Sequence, residues 1–158
     1  MITIEQINQT IEPLKNQQKK IVLVGGCFDI LHIGHIALLE GARKAGDVLF
    51  VMLESDETIQ KRKGPTRPLH TQKQRARVLE SLRFVDYVIA LPPLENDQEY
   101  DRVVKALQPD IIATTKSDPG LIHKERVARI TGAQVIFVNE FVDTISSTRS
   151  FEALQKEL

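Results

Sequence analysis

Five apolar runs, Ile21–Val24, Val48–Leu53, Tyr87–Leu91, Ile111–Ala113 and Val135–Val138, recur along the chain with helically spaced segments between them. Runs that stay apolar, without alternating, are what strands buried on both faces require, and this is the pattern of parallel strands. The intervening segments Ile36–Ala45, Thr71–Leu82, Glu99–Leu107 and Leu121–Thr131 are predicted helices, and a last helix is expected from about Ser147 to the C-terminus. Alternation of this kind with right-handed crossovers predicts an α/β fold: a doubly wound, Rossmann-like, five-stranded parallel sheet with helices on both faces. Ligands of such sheets bind outside the carboxyl ends of the strands.

A chain of 158 residues, 42% of them hydrophobic, can bury one substantial core and falls short of two. Residues 1–158 are read as a single domain, with 1–18 as a helical appendage. The helix predicted at Ile4–Leu14 packs ahead of the first strand and carries no chemistry, and its apolar face is a candidate surface for a homodimer. Lys and Arg, 21 together, balance 21 Asp and Glu, so no net charge draws the chain to nucleic acid or to an anionic membrane. At 5% aromatic residues there is no stacking platform for RNA. No apolar run approaches the roughly 20 residues of a membrane-spanning helix. The lone Cys27 cannot form an internal disulfide, and the first residues lack the basic-then-apolar order of a secretory signal, so a cytoplasmic location is expected.

Directly after the first strand the chain reads GGCFDILHIGH, Gly25–His35. Gly25 and Gly26 are expected to let the chain turn sharply and to let backbone amides approach a ligand. A helix is predicted to begin near Gly34, and its unpaired amides and partial positive charge suit a polyphosphate. His32 and His35 stand about one turn apart beside that helix start, where both can face one ligand. A neutral imidazole donates to phosphate oxygens, and a protonated one also stabilises charge growing on a leaving pyrophosphate. Helix-capping or core histidines, or half of a metal site, are the alternatives for this pair.

A second cluster, QKRKGPTRPLHTQKQR at Gln60–Arg75, gathers Lys61, Arg62, Lys63, Arg67, Lys73 and Arg75 into what reads as a basic loop. It is either a solvated surface or a meeting place for two phosphate-bearing substrates. Thr71 is placed to cap the helix that follows and Ser55 to cap one before it, while Ser146 or Ser147 caps the last helix.

GGCFDILHIGH resembles the signature of the HxGH nucleotidyltransferase superfamily, in particular its cytidylyltransferase-like branch, and the resemblance extends from about Ile21 to Arg149. It implies that His32 and His35 contact the nucleotide phosphates and stabilise the transition state. It also implies that Gly25, Gly26 and Cys27 lie against the phosphates through their backbone, and that Phe28 and Asp29 complete the nucleotide-binding loop. KGPTRP and the following arginine resemble a loop of bacterial sugar-phosphate nucleotidyltransferases. By that likeness Lys63 reaches the transferring phosphate, Arg75 holds a phosphate with its planar fork, and Arg67 and, secondarily, Lys61 serve the substrate. Ser146, Ser147 and Thr148 resemble the superfamily's phosphate-contacting turn, with Arg149 a weaker candidate.

The same resemblance divides over the substrate. Heptose-phosphate adenylyltransferases carry a Lys-Gly-Gly-Asp type segment where residues 113–120 read ATTKSDPG, in which Lys116 and Asp118 keep the polarity, and Lys116 is a substrate-binding candidate. Glycerol-phosphate cytidylyltransferases place an arginine where residues 140–143 read EFVD. The implied activity is transfer of a nucleoside monophosphate, AMP favoured, from a triphosphate to a small phosphorylated acceptor such as a sugar phosphate, with release of pyrophosphate and Mg²⁺ as the cofactor. CTP with glycerol phosphate or a similar polyol or amino-alcohol phosphate is the alternative within the family. A catalytically inactive nucleotide-binding regulatory module is the alternative outside it.

Overall fold

A computed structural model describes residues 1–138. Strands β1 (Ile21–Gly26), β2 (Val48–Leu53), β3 (Tyr87–Ala90), β4 (Ile111–Thr114) and β5 (Gln134–Phe137) form one parallel sheet in the order β3-β2-β1-β4-β5. A short 3-10 turn (Ile4–Gln6) leads into α1 (Ile7–Asn16), and α2 (Ile33–Lys44), α3 (Asp56–Lys63), α4 (Gln72–Glu80), α5 (Asp97–Leu107) and α6 (Leu121–Thr131) follow between the strands. The doubly wound sheet expected from the apolar runs is the fold of the chain. Among the described residues no helix is long and apolar enough to cross a membrane.

The two-residue period of the strands divides their side chains between two layers. Val22, Val24, Leu49, Val51 and Leu53 point to one face and meet Leu39 and Ala42 of α2 and Ala76 and Leu79 of α4. Leu23, Phe50 and Met52 point to the other and meet Ile7 and Ile11 of α1, Val103, Val104 and Leu107 of α5, and Val127 and Ala128 of α6. That sharing of β1 and β2 between both layers is why their sequence shows no polar alternation.

The N-terminal segment belongs to the second layer. Ile7 and Ile11 are buried, Ile4 and Leu14 pack against them, and Ile2 extends the sheet edge by bridging to Ile89. Its amide donates to the Val88 carbonyl at 2.8 Å and its carbonyl accepts from Ala90 at 3.0 Å. The apolar face read from sequence as a dimer surface is therefore covered by the chain itself.

The basic stretch Gln60–Arg75 is not one loop, since Gln60–Lys63 close α3 and Gln72–Arg75 open α4. Ser55 caps α3, its hydroxyl accepting from the Thr58 amide at 3.1 Å. The helix then runs through Lys61, Arg62 and Lys63, cations that suit the negative end of its dipole, before Gly64 ends it at φ 96°. Thr71 and Gln74 form a capping box at the start of α4, leaving 64–71 as the connecting loop. With only Thr58 and Ile59 buried, α3 shows too little apolar periodicity to be legible over its length.

Strand order reverses direction beside β1: β2 and β3 lie to one side of it, β4 and β5 to the other. The crevice that opens between β1 and β4 at their carboxyl ends is where a doubly wound sheet accepts ligands.

Candidate active site

Gly25 and Gly26 do not turn. They complete β1, in register with Met52 and Leu53, and the sharp bend comes at Phe28, whose φ is 47°. What Gly26 supplies is a close approach, because a Cβ there would stand 2.9 Å from the Phe28 ring. The ring folds back over the strand end and meets His35, with centroids 5.0 Å apart. His32 is the N-cap residue of α2 but makes no side-chain cap bond; its carbonyl accepts from His35 and Ile36.

The two imidazoles are stacked, centroids 3.8 Å apart and planes inclined by 27°. Both Nδ1 atoms are buried and lack a hydrogen-bond partner among the described residues. Native structures seldom leave such atoms unpaired except where a ligand or water completes them. Burial pushes the His32 imidazole below its ordinary pKa. It pushes His35 down further, to about 4, with the neighbouring His32 and Lys63 adding to the effect and a hydrogen bond with the Ile30 backbone opposing it. Both rings are neutral at pH 7.

These groups line a cleft of about 750 Å³ at the strand ends. Gly25, Gly26, Cys27, Phe28, His32, His35 and Lys63 all reach it. Lys63 makes no ion pair among the described residues, although the cleft's other ammonium and guanidinium groups, Arg62, Lys124 and Arg126, each have a carboxylate partner. Burial raises the Cys27 thiol above its ordinary range, so the sulfur is a packed thiol and not a nucleophile.

Several residues expected at the ligand lie elsewhere. Arg75 is 2% exposed and spends its guanidinium on the protein. It donates to the carbonyls of His70 at 3.0 Å and Glu54 at 2.8 Å, to the Asp56 carboxylate at 2.8 Å, and to the Cys27 carbonyl. It staples the signature turn, the end of β2 and the 64–71 loop together, and does not line the cleft. Asp29 is likewise buried, accepting from Arg67 Nε at 2.6 Å and from the amides of Leu69 and His70 at 2.9 and 3.2 Å. Asp29 and Arg67 thus lock one loop to the other behind the cleft, and neither lines it. Lys61 points outward and pairs with Glu57 at 2.9 Å. Lys116 is exposed at the edge of the β4–α6 loop and does not line the cleft. Ser146, Ser147 and Thr148, with the last predicted helix, lie outside the described residues.

The cleft also contains groups to which the sequence patterns gave no role in it. At the end of β2, Glu54 accepts from Tyr100 at 2.6 Å and from Arg62 at 3.2 Å. Asp118 accepts from Thr114 at 2.7 Å and the Gly120 amide at 2.7 Å, and pairs with Lys124. Burial pushes the Asp118 carboxyl up, but the Lys124 ammonium and these hydrogen bonds outweigh it and bring it below the ordinary range. Between α5 and α6, Arg126 bonds Asp101 at 2.7 Å and lies 3.5 Å from Asp97. The four-residue spacing of Asp97 and Asp101 was a signal that one helix face carries both. Nothing local tied either to α6. Among the described residues no three His, Cys, Asp or Glu side chains gather as a metal site would require.

Residues 23–149 match the family described as cytidylyltransferase-like. Curated relatives include two bifunctional HldE proteins: one from Sulfurimonas denitrificans, 35% identical over 98% of this chain and 31% of that protein, and one from Aliarcobacter butzleri, 37% identical over the same shares. The chain thus spans about a third of the length of these relatives. Among solved structures, the lipopolysaccharide core biosynthesis protein of Thermoplasma volcanium superposes with a TM-score of 0.64 at 24% identity, over 78% of this chain and 98% of that one. Pantothenate synthetase of Thermus thermophilus superposes with a TM-score of 0.66 at 17% identity, over 99% and 69% respectively. At such identities these two likenesses speak for the fold.

Proposed function

The chain belongs to the cytidylyltransferase-like family, and from that premise we propose that it is a nucleotidyltransferase. In this reading it moves a nucleoside monophosphate, AMP favoured, from a nucleoside triphosphate to a small phosphorylated acceptor of the sugar-phosphate kind. The observation that carries it is the stacked pair His32 and His35 in the switch-point cleft, with unpartnered Nδ1 atoms and with Lys63 beside them. The KGPTRP resemblance and the HldE relatives support the adenylyl and sugar-phosphate side of the family.

A phosphate oxygen of the acceptor attacks the α phosphorus of the triphosphate. The new P–O bond forms as the bond to the β phosphate breaks, and pyrophosphate leaves with the electron pair. An ionised phosphate needs no general base, so the work is positioning and charge stabilisation. His32 and His35, neutral by burial, serve as hydrogen-bonding groups toward phosphate oxygens; the arriving negative charge raises their proton affinity. Lys63 supplies a mobile positive charge to the transferring group. Gly25 and Gly26 present bare backbone at the strand end.

Mg²⁺ enters this reading with the triphosphate. Of the cleft carboxylates, Glu54 and Asp118 accept from cations and hydroxyls, whereas Asp101 accepts from Arg126 through one oxygen and keeps the other buried and without a partner among the described residues; an ion arriving with the triphosphate would neutralise phosphate charge. A cytoplasmic setting supplies both the triphosphate and a reducing environment for Cys27.

Pyrophosphate release across ATP, CTP, GTP and UTP, each with sugar phosphates and with glycerol 3-phosphate, tests the reading. Fastest release is expected with ATP and a sugar phosphate. A preference for CTP with glycerol phosphate overturns the base and the acceptor together, and nucleotide binding without release from any pair refutes turnover.

A further inference from the structure

Glu54 is 8% exposed. A carboxylate so placed must be hydrogen-bonded or paired. Its two partners hold it very differently. The Tyr100 hydroxyl donates to one oxygen at 2.6 Å, a short bond, whereas Arg62 reaches the other at 3.2 Å and the Tyr100 oxygen at 3.4 Å. Charge-assisted guanidinium–carboxylate bonds that fix a structure close to about 2.7–2.9 Å. Arg62 is held loosely, and its side chain is 57% exposed against 11% for Glu54.

We propose that Arg62 is an anion-binding residue of the cleft, kept in place by Glu54 and Tyr100 as a cation that passes from the Glu54 carboxylate to a phosphate oxygen of the ligand. This rests on the reading that the cleft takes phosphates. Removing a cation from a buried carboxylate is expensive when the carboxylate is left bare. Here Tyr100 stays behind. Burial, and then the bond to Glu54, push the phenol above its ordinary pKa, so it remains a donor at neutral pH. Arg62 also sits on the last turn of α3 beside Lys63, and both line the cleft. Lys63 offers a point charge there and Arg62 a planar fork suited to phosphate. Arg62 thereby takes the part that Arg67 and Arg75, both turned into the protein, do not play.

Tyr100 acts through Arg62 and is a positioning residue. Without its hydroxyl, Glu54 depends on Arg62 alone and withholds it from a ligand. Calorimetric titration of the full chain with inorganic pyrophosphate, at fixed ionic strength, reads this directly. Arg62→Ala is expected to weaken binding on the order of 10-fold or more, with Arg62→Lys falling between it and the unaltered protein. Tyr100→Phe is expected to weaken binding several-fold in the unaltered background and to add nothing in the Arg62→Ala background. Unchanged affinity in Arg62→Ala overturns the proposal, as does absence of pyrophosphate binding by the unaltered protein. A Tyr100→Phe loss that persists in full without Arg62 shows a merely structural tyrosine and overturns the hand-over. Nucleotidyl transfer is judged separately by pyrophosphate release, which can fail while this binding stands.

Discussion

Replacing Asp29 with alanine tests whether the loop-to-loop lock behind the cleft is what its geometry indicates. The Asp29 carboxylate is fully buried, its Arg67 partner 3% exposed, and the two meet at 2.6 Å. Removing one member of a buried pair typically costs about 3–5 kcal/mol, because the other charge stays in a low-dielectric site. The amides of Leu69 and His70, also bound to Asp29, are only partly buried and can recover water, so they add little. A loss of about 3–5 kcal/mol is a large part of the roughly 5–15 kcal/mol that stabilises an ordinary domain. At about 2–4 °C per kcal/mol for a chain of this size, the melting midpoint should fall by roughly 6–20 °C. Asp29→Asn keeps an acceptor for the two amides but loses the charge, and should cost less. Replacing both partners by apolar residues of similar size should cost less than Asp29→Ala alone. Urea unfolding monitored by far-ultraviolet circular dichroism provides the free energies, with the slope checked for constancy. A loss below about 1 kcal/mol for Asp29→Ala at unchanged slope would refute the reasoning.

Three further outcomes are expected. His35→Ala should lower turnover on the order of 100-fold while the melting curve stays cooperative, measured as pyrophosphate release; undiminished turnover removes His35 from the chemistry. The folded His35 titrates at about 4 against 6.5 for the free side chain, so between those pH values the unfolded chain binds more protons. Stability from this group is therefore complete above about pH 6.5 and lost as pH falls toward 4. His35→Gln should flatten the urea-midpoint profile in that window, and an unaltered slope there would contradict the assignment. Arg75→Met strips three carbonyls and Asp56 of their donor and should destabilise by about 3 kcal/mol or more. If its chemical denaturation midpoint is unchanged while triphosphate binding is lost, Arg75 faces the ligand after all.

Much of the architecture was legible in one dimension because strand burial and helix spacing are periodic. The strands β1 and β2 carry that signal strongly, being shared between two core layers, and the caps at Thr71 and Ser55 are local contacts of three residues. The helix α3 was the exception. Its charged final turn is exposed, and its Lys-Arg-Lys run reads as a surface loop.

The candidate site divides along the same line. Sequence alone determined that a glycine pair follows an apolar run, that two histidines come next about one turn apart at a helix start, and that positive charge gathers between residues 60 and 75. These are facts of spacing. Only the tertiary structure decided which of those cations face the cleft. Arg67 turns inward to a carboxylate 38 residues away and Arg75 to a carbonyl 48 residues away, whereas Arg62 and Lys63 remain at the cleft. A guanidinium goes where buried oxygens must be satisfied, and those oxygens are brought beside it by folding, not by neighbourhood in the chain.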